Sequence, residues 1–316
     1  MRPRIPRRLI SANNLEVLRP IFRAFMLVVT YAIWILSLRM FTLTLVTYFV
    51  TSPTSHFQDI IEVLASNEIS LMGISALLFL ILVVKMNPLT STSFSAILNR
   101  KSIEQQFLPS FARGAFFAGT LVLLFVLSGT YRYLGYYIQF QETPLSLASI
   151  LFRIFTLIAF AYCEGFIFFH KVPLYLKKRV PEFAQVHLIA ILFCVIKALQ
   201  FEFDFFQWIS LYLLAIALYY RSQNKGEFGR GAGFWAAFLV IFQPVLSLPL
   251  FGNDFSGILL VKYPSVDFEA ILNPNPAVHF LTGGAAGPLG SFTFQLLLIL
   301  DIGQSILKRK FRKTIL

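Results

Sequence analysis

The chain of 316 residues is 57% hydrophobic and only 13% charged, with a mean hydropathy of +0.72. Soluble globular domains carry about 25% charged residues, so this composition excludes an ordinary water-soluble fold and indicates an integral membrane protein. The apolar stretches are long and do not alternate in polarity, which favours membrane-spanning helices. The net charge is +12, and its distribution along the chain decides whether it signals nucleic-acid binding or membrane topology.

Eight stretches are candidate membrane spans, given that about 20 residues cross about 30 Å of hydrocarbon. In chain order they are Ile21–Val50, Ser70–Met86, Gly114–Tyr137, Leu145–Phe169, His187–Gln200, Phe205–Tyr220, Gly233–Phe251 and Ser291–Leu307. The basic segment before the first span lacks the short apolar region and cleavage site of a signal peptide, so we expect a retained helix. We therefore predict an all-α polytopic membrane protein with about eight transmembrane helices.

The loops between these spans carry an asymmetric charge. With the N-terminus placed in the cytoplasm, most of the 27 basic residues fall on the cytoplasmic side, as the positive-inside rule requires. An even number of spans then places both termini in the cytoplasm. The charge is explained by topology and by contacts with anionic lipid head groups, which argues against a nucleic-acid partner.

We divide the chain into three parts. Residues 1–110 form a basic arm and two transmembrane helices, residues 111–308 form the transmembrane core, and residues 309–316 form a basic cytoplasmic tail. The longest outer loop, residues 252–290, ends in LTGGAAGPLGS. Because glycine lets backbones approach closely, we predict that this stretch is ordered and packed near the start of the last span.

Few ionisable side chains fall inside the predicted spans. They are Arg39, Arg153, Glu164, Lys197 and Asp301. Each costs about 2.5–3.5 kcal/mol at a bilayer centre, so each is either functional or part of a buried ion pair. Glu164, in the stretch AYCEGFIFFHKV, and Lys197 reach similar depth from the same side of the membrane. We predict that these two side chains pair with each other.

The sequence contains none of the usual signatures of soluble enzymes, such as GxSxG, a P-loop or HExxH. His170 and His187 share one predicted face, whereas His56 and His279 lie on the opposite one, so a four-histidine metal site is excluded. Cys163 and Cys194 both lie in apolar segments and are predicted to be small buried side chains. We expect no metal and no cofactor.

Four pieces of the sequence follow one another in a familiar order across residues 110–305. They are CEGFIFFHKVPLYLKKR, AILFCVIKALQF, the helix–basic turn–helix FQWISLYLLAIALYYRSQNKGEFGRGAGFWAAFLVIFQPVLSLPLFG, and LTGGAAGPLGSFTFQLLLIL. In this order and spacing the chain resembles the CPBP family, the CAAX-protease and bacteriocin-processing type of intramembrane proteases. The resemblance implies a CPBP-like helical core and, as in the bacterial members, a location in the bacterial inner (cytoplasmic) membrane.

The resemblance also implies where catalytic residues would fall. The family glutamate that activates the attacking water falls on Glu164. The other polar positions of the family fall on Gly165, Phe169, Lys197 and, for the final histidine and asparagine, near Ile241 and Val245. A glutamate base without histidines close by has no proton partner except Lys197, which is a poor arrangement for hydrolysis. The chain thus resembles a degenerate member of the family.

Three functional hypotheses follow. The first is a non-catalytic CPBP-like protein that binds a partner membrane protein in the former substrate groove, as a subunit, adaptor or chaperone. The second is an active intramembrane peptidase with a divergent site built from Glu164, Lys197 and His170 or His187. The third is a transporter or lipid-handling protein with Arg39, Arg153 and Asp301 in a polar path. The sequence leaves enzymatic activity open and favours its absence.

Overall fold

The computed structural model describes residues 13–50, 68–86, 103–136, 143–177, 179–201, 204–223, 229–248, 257–262, 280–283 and 287–315. This part of the chain is mostly helical, as predicted. The first 12 residues of the predicted basic arm, His56, His279 and much of the 252–290 loop lie outside it.

The helices of the described part are α1 Asn13–Val50, α2 Glu68–Met86, α3 Leu108–Leu127, α4 Thr143–Phe166, α5 Val172–Leu176, α6 Glu182–Gln200, α7 Phe205–Gln223, α8 Gly229–Val240 and α9 Phe292–Ile315. Wider π-helical turns cover Ile103–Phe107 before α3, Ile167–Lys171 between α4 and α5, and Ile241–Val245 after α8. Two short strands, β1 Arg132–Tyr136 and β2 Leu259–Lys262, pair antiparallel.

Each of the eight predicted spans overlaps one of these helices. Within the described residues, four stretches are long and apolar enough to cross a membrane: Leu18–Phe41, Ile103–Leu127, Leu147–Leu176 and Glu182–Gln200. A shorter apolar helix covers Leu71–Val83. The helical membrane-protein class is therefore supported by length and composition, whereas the count of eight spans, the orientation of the termini and the three-part division stay predictions.

The third predicted span ends earlier than the sequence indicated. Hydropathy extends it to Tyr137, but α3 ends at Leu127 and Gly129 has a φ of +74°. That left-handed conformation is accessible to glycine at low cost and is typical of the residue that ends a helix. The chain then turns back into β1, whose partner β2 belongs to the predicted outer loop, residues 252–290.

The helix that carries Glu164 continues past a proline. Pro173 has no backbone N–H, so the carbonyl of Phe169, four residues earlier, loses its usual helical donor. The Nε2 of Gln223 donates to this carbonyl at 3.2 Å instead. Together with the π-helical turn Ile167–Lys171, this contact lets α4 and α5 form one nearly continuous apolar stretch, and π-helical turns are often found at functional sites.

Helix α8 lies at the centre of the described bundle and contacts α3, α4 and α7. Small residues allow this packing. A Cβ atom on Gly233 would lie 2.4 Å from the backbone oxygen of Phe107, and one on Gly165 would lie 2.6 Å from the Cβ of Ala232. The backbones of α4 and α8 therefore meet directly beside Glu164, and this close approach is what builds the site.

Most described residues of LTGGAAGPLGS are packed as predicted, whereas Leu281 is exposed. Thr282, Gly283 and 287–291 are buried, and the Tyr131 hydroxyl donates to the Thr282 carbonyl at 3.1 Å. The hydroxyl of Ser291 accepts a hydrogen bond from the Phe294 N–H at 3.1 Å, so it caps the N-terminus of α9.

Hydrogen exchange can test this order in the folded chain. The amides of Gly290 and Phe294 donate within the structure, to the Gly287 carbonyl and to Ser291. We expect both amides to exchange slowly, as buried hydrogen-bonded groups do. Mass-spectrometric or NMR exchange on the detergent-solubilised protein gives the readout. Fast exchange throughout 287–294 would identify this stretch as a mobile linker.

The topology has a direct test at the other end of α9. A reporter fused after Leu316 is expected to be active only if it is of the kind that functions in the cytoplasm, because the basic residues near this end obey the positive-inside rule. A paired reporter that requires export, fused at the same position, is the control. Activity of the export-dependent reporter would place the C-terminus outside the cytoplasm, and the predicted number of eight spans would then be wrong by one.

Candidate functional site

The predicted pair of Glu164 and Lys197 is confirmed. The Nζ of Lys197 on α6 lies 2.6 Å from the Oε1 of Glu164 on α4, and both side chains have zero exposure to solvent. A contact of this length between an amine and a carboxyl oxygen is a charge-assisted hydrogen bond. Two helices that are separated by a basic turn in the sequence are thus joined inside the bundle.

Two further helices contribute donors to the same carboxylate. The indole Nε1 of Trp235 on α8 donates to Glu164 Oε2 at 2.9 Å, and the hydroxyl of Tyr31 on α1 donates to Oε1 at 3.3 Å. Lys197, Tyr31 and Trp235 together place a donor on each oxygen of Glu164. The carboxylate is therefore held from three directions by α6, α1 and α8.

The amine of Lys197 has a largely aromatic surrounding. Besides Glu164, it donates to the Oε1 of Gln200 at 3.1 Å. Its nitrogen lies 4.1 Å from the ring centroid of Phe160 and 5.4 Å from those of Phe193 and Trp235. Aromatic faces attract a cation, so these rings compensate part of the hydration that the amine loses.

The site as a whole carries no net charge, wherever the shared proton lies. This matters because an isolated charge in a dry interior is expensive, whereas a hydrogen-bonded pair avoids much of that cost. Chemically, such a pair can fix the relative positions of α4 and α6. It is poorly arranged to activate water, because a general base needs a free lone pair that faces its substrate.

The positions that the family resemblance assigns to other polar groups are filled by packing. Gly165 lies against Ala232 with no room for a side chain. Phe169 is 1% exposed and packs on Phe193, with ring centroids 5.7 Å apart. Phe193 in turn packs on Trp235 at 5.9 Å. An aromatic cluster of Phe169, Phe193 and Trp235 thus occupies the interior beside the pair.

The two candidate histidines have ring contacts of their own. His170 lies on the Phe166 ring, with centroids 5.6 Å apart. His187 forms a hydrogen bond through Nδ1 with the hydroxyl of Tyr212 on α7 and lies edge-on to Phe183. The structure therefore assigns His187 to an α6–α7 contact near the end of the bundle rather than to the neighbourhood of Glu164.

The other ionisable residues predicted inside spans lie in separate places. The Nη1 of Arg39 on α1 donates to the carbonyl of Leu199 at 3.1 Å, where it satisfies a carbonyl of the last turn of α6. Asp301 on α9 pairs with Arg221 on α7, with nitrogen–oxygen distances of 3.1 and 2.5 Å. Arg153 lies eleven residues before Glu164 on α4, about 16 Å away at 1.5 Å per residue.

Both cysteines are free and buried, as predicted. In the part of the chain that the structure describes, no three His, Cys, Asp or Glu side chains lie close enough together to bind a metal ion.

The sequence analysis missed Tyr31, Trp235 and Gln200 as members of this site. Gln200 carries a recognisable signal, because it lies three residues after Lys197 and so on the same helix face. Tyr31 and Trp235 carry none, since aromatic residues with a polar tip are common throughout membrane proteins.

No protein-family model matches the chain, and neither do curated protein sequences or solved structures.

Proposed function

We propose that the protein is a non-hydrolytic, CPBP-like integral membrane protein that binds a segment of a partner membrane protein. The observation that carries this proposal is the state of Glu164. Its two oxygens accept hydrogen bonds from three side chains, and it has zero exposure to solvent. A carboxylate held in this way supports the bundle and is not presented to a substrate.

The packing beside Glu164 supports the same proposal. Members of the family use a second glutamate at the position of Gly165, but a Cβ atom there would already lie 2.6 Å from that of Ala232. A longer side chain requires α4 and α8 to separate. The packing of α4 on α8 therefore leaves no space for a second carboxylate at position 165. This supports a chain with CPBP-like helices that does not catalyse hydrolysis.

A cavity between α5, the start of α6 and the end of α7 offers a site for the partner segment. It has a volume of about 470 Å³ and is lined by residues that include Phe169, His170, Leu174 and Tyr219. Arg309 and Glu182 form an ion pair at its edge. Its wall is shared with the aromatic cluster through Phe169. Two side chains, Phe169 and Phe193, would therefore separate an apolar segment bound here from the Lys197 amine.

Site-specific crosslinking tests this binding site. A photoreactive amino acid replaces Leu174, which is 49% exposed and lines the cavity. Leu151, 58% exposed on α4, receives the same amino acid as the control. We expect one discrete protein adduct from position 174 in native membranes and only lipid adducts from position 151. Lipid adducts alone from both positions would contradict the proposal.

A second experiment separates this function from an active peptidase. The double substitution of Glu164→Gln with Lys197→Met removes both charges and keeps the side-chain volumes similar. If the pair is structural, the folded double variant retains the crosslinked partner. An intramembrane peptidase that relies on Glu164 would instead lose cleavage and accumulate its uncleaved substrate.

The transport hypothesis receives no support from the geometry. Arg39 contacts the end of α6, and Asp301 pairs with Arg221 between α7 and α9. These two contacts belong to different helices, α1 and α6 in the first case and α7 and α9 in the second.

A further inference from the structure

A second cavity lies at one end of the bundle, away from the Glu164 pair. It has a volume of about 550 Å³ and lies between the beginnings of α3 and α8 and the later halves of α7 and α9. This volume falls in the range of small-molecule binding sites. Its basic lining residues all belong to segments that the charge distribution predicts to be cytoplasmic.

Positive charge predominates in this cavity. The described residues that line it include four cations, Arg113, Arg221, Arg230 and Lys308, and one carboxylate, Asp301. Glu104 precedes the lining residue Gln105, and even with Glu104 counted the cations outnumber the carboxylates by two. Because Arg230 is the second residue of α8, the positive end of that helix lies at the cavity as well.

One of the cations is held in a fixed position. Arg221 makes two hydrogen bonds to Asp301, and its guanidinium lies 3.8 Å from the ring centroid of Phe234. The pair is 16% exposed on each side. Asp301 is thereby compensated, and with Glu104 counted as well the cavity keeps an excess of two cations.

We infer that this cavity binds a phosphate-bearing anion, as the head group of an anionic phospholipid or as a soluble phosphoryl compound. Arginine donors match phosphate oxygens in geometry, and basic pockets between membrane helices on the cytoplasmic side are suited to anionic head groups. Glutamine and serine side chains on the cavity wall, such as Gln304 and Ser305, supply neutral polar contacts. This inference is independent of the proposed partner binding.

The test uses the full chain, purified in detergent and freed of lipid. The probes are phosphatidylglycerol, phosphatidylcholine and the water-soluble glycerol 1-phosphate. The cavity variant combines Arg113→Gln and Lys308→Gln, two exposed positions on its wall. The control variant combines Arg19→Gln and Arg23→Gln, exposed on α1 and predicted to lie on the same face of the membrane. The two variants lose the same charge.

We expect phosphatidylglycerol to bind more tightly than phosphatidylcholine, and the cavity variant to weaken this binding about 10- to 30-fold while the control changes it less than about 2-fold. Binding of glycerol 1-phosphate with the same dependence on the variants would identify a soluble phosphoryl compound as the ligand. Selectivity for the lipid alone would identify the head group. Equal weakening in both variants, or binding of none of the probes, would overturn the inference.

Lys308→Arg serves as the control for a folding defect in the cavity variant. This substitution retains the charge, so it should retain the binding of phosphatidylglycerol within about 3-fold. Loss of binding in Lys308→Arg at unchanged gel-filtration behaviour would also contradict the inference.

Discussion

Glu164→Gln is expected to destabilise the protein by about 3–5 kcal/mol, the typical cost of breaking a buried ion pair from one side. The substitution leaves the amine of Lys197 buried without a counter-charge, 2.6 Å from what was a carboxylate oxygen. Lys197 and Trp235 bond to different oxygens of Glu164. Glutamine has only one oxygen, so its amide NH2 group would face one of these two donors. Lys197→Met should cost a similar amount. Reversible unfolding in mixed detergent micelles measures both.

The double variant decides whether the two residues act as a pair. Combining Glu164→Gln with Lys197→Met should destabilise less than the two single effects added together, because neither charge is then left alone. Arg221→Met provides a comparison, since its pair with Asp301 is 16% exposed and the remaining carboxylate can be hydrated. We expect its effect to be smaller. Additive single effects at Glu164 and Lys197 would show that they stabilise the fold independently.

The Glu164–Lys197 pair was predictable because ionisable residues are rare in apolar spans. Only a few charges fall in the predicted spans, and their cost makes pairing of opposite signs at similar depth the natural expectation. The donors Tyr31 and Trp235 were not predictable, because they come from helices far away in the sequence and belong to residue types that also occur singly in membranes. What brings Trp235 to Glu164 is the α4–α8 crossing, which depends on Gly165 and Ala232.

The helices were easier to predict than their ends. Hydropathy detects the apolar part of each helix, whereas the helix itself ends where its hydrogen bonds end. The fifth span was predicted to begin at His187, but α6 begins at Glu182, directly after Pro181. The polar first turn is helical although it adds little hydropathy. Helix α9 likewise continues to Ile315, through basic residues that were assigned to a tail.

The aromatic cluster also explains why the site is dry. Two of its rings, Phe193 and Trp235, together with Phe160, surround the amine of Lys197 on several sides. In a protease of this type, water must reach the carboxylate, so polar groups would be needed along its approach. In this chain Phe169, at a position where the resemblance places a polar group, and its neighbour Phe193 are both almost fully buried. The same side chains shield the ion pair from solvent, which supports the proposed non-hydrolytic function.

Gly165→Ala is expected to destabilise the protein by about 1–3 kcal/mol, the usual cost of overpacking a core by one methyl group. The new Cβ would lie 2.6 Å from that of Ala232 and 3.1 Å from its Cα, so α4 and α8 must move apart. That movement lengthens the hydrogen bond from Trp235 to Glu164, which crosses the same interface. The measurements are reversible unfolding and the near-ultraviolet circular dichroism of the tryptophans.

Compensation at the facing residue tests the cause. Ala232→Gly opens the space that the new methyl group needs, so the combination with Gly165→Ala should recover part of the loss. Gly119→Ala is the matched control, because a Cβ at Gly119 meets nothing within 4 Å; it should leave stability unchanged or raise it by up to about 1 kcal/mol. Gly165→Glu should fail to fold even with Ala232→Gly, since a carboxylate needs far more room than one methyl group releases. A folded Gly165→Glu protein would show that the α4–α8 packing does not prevent a second catalytic carboxylate, and it would remove that support for a non-hydrolytic function.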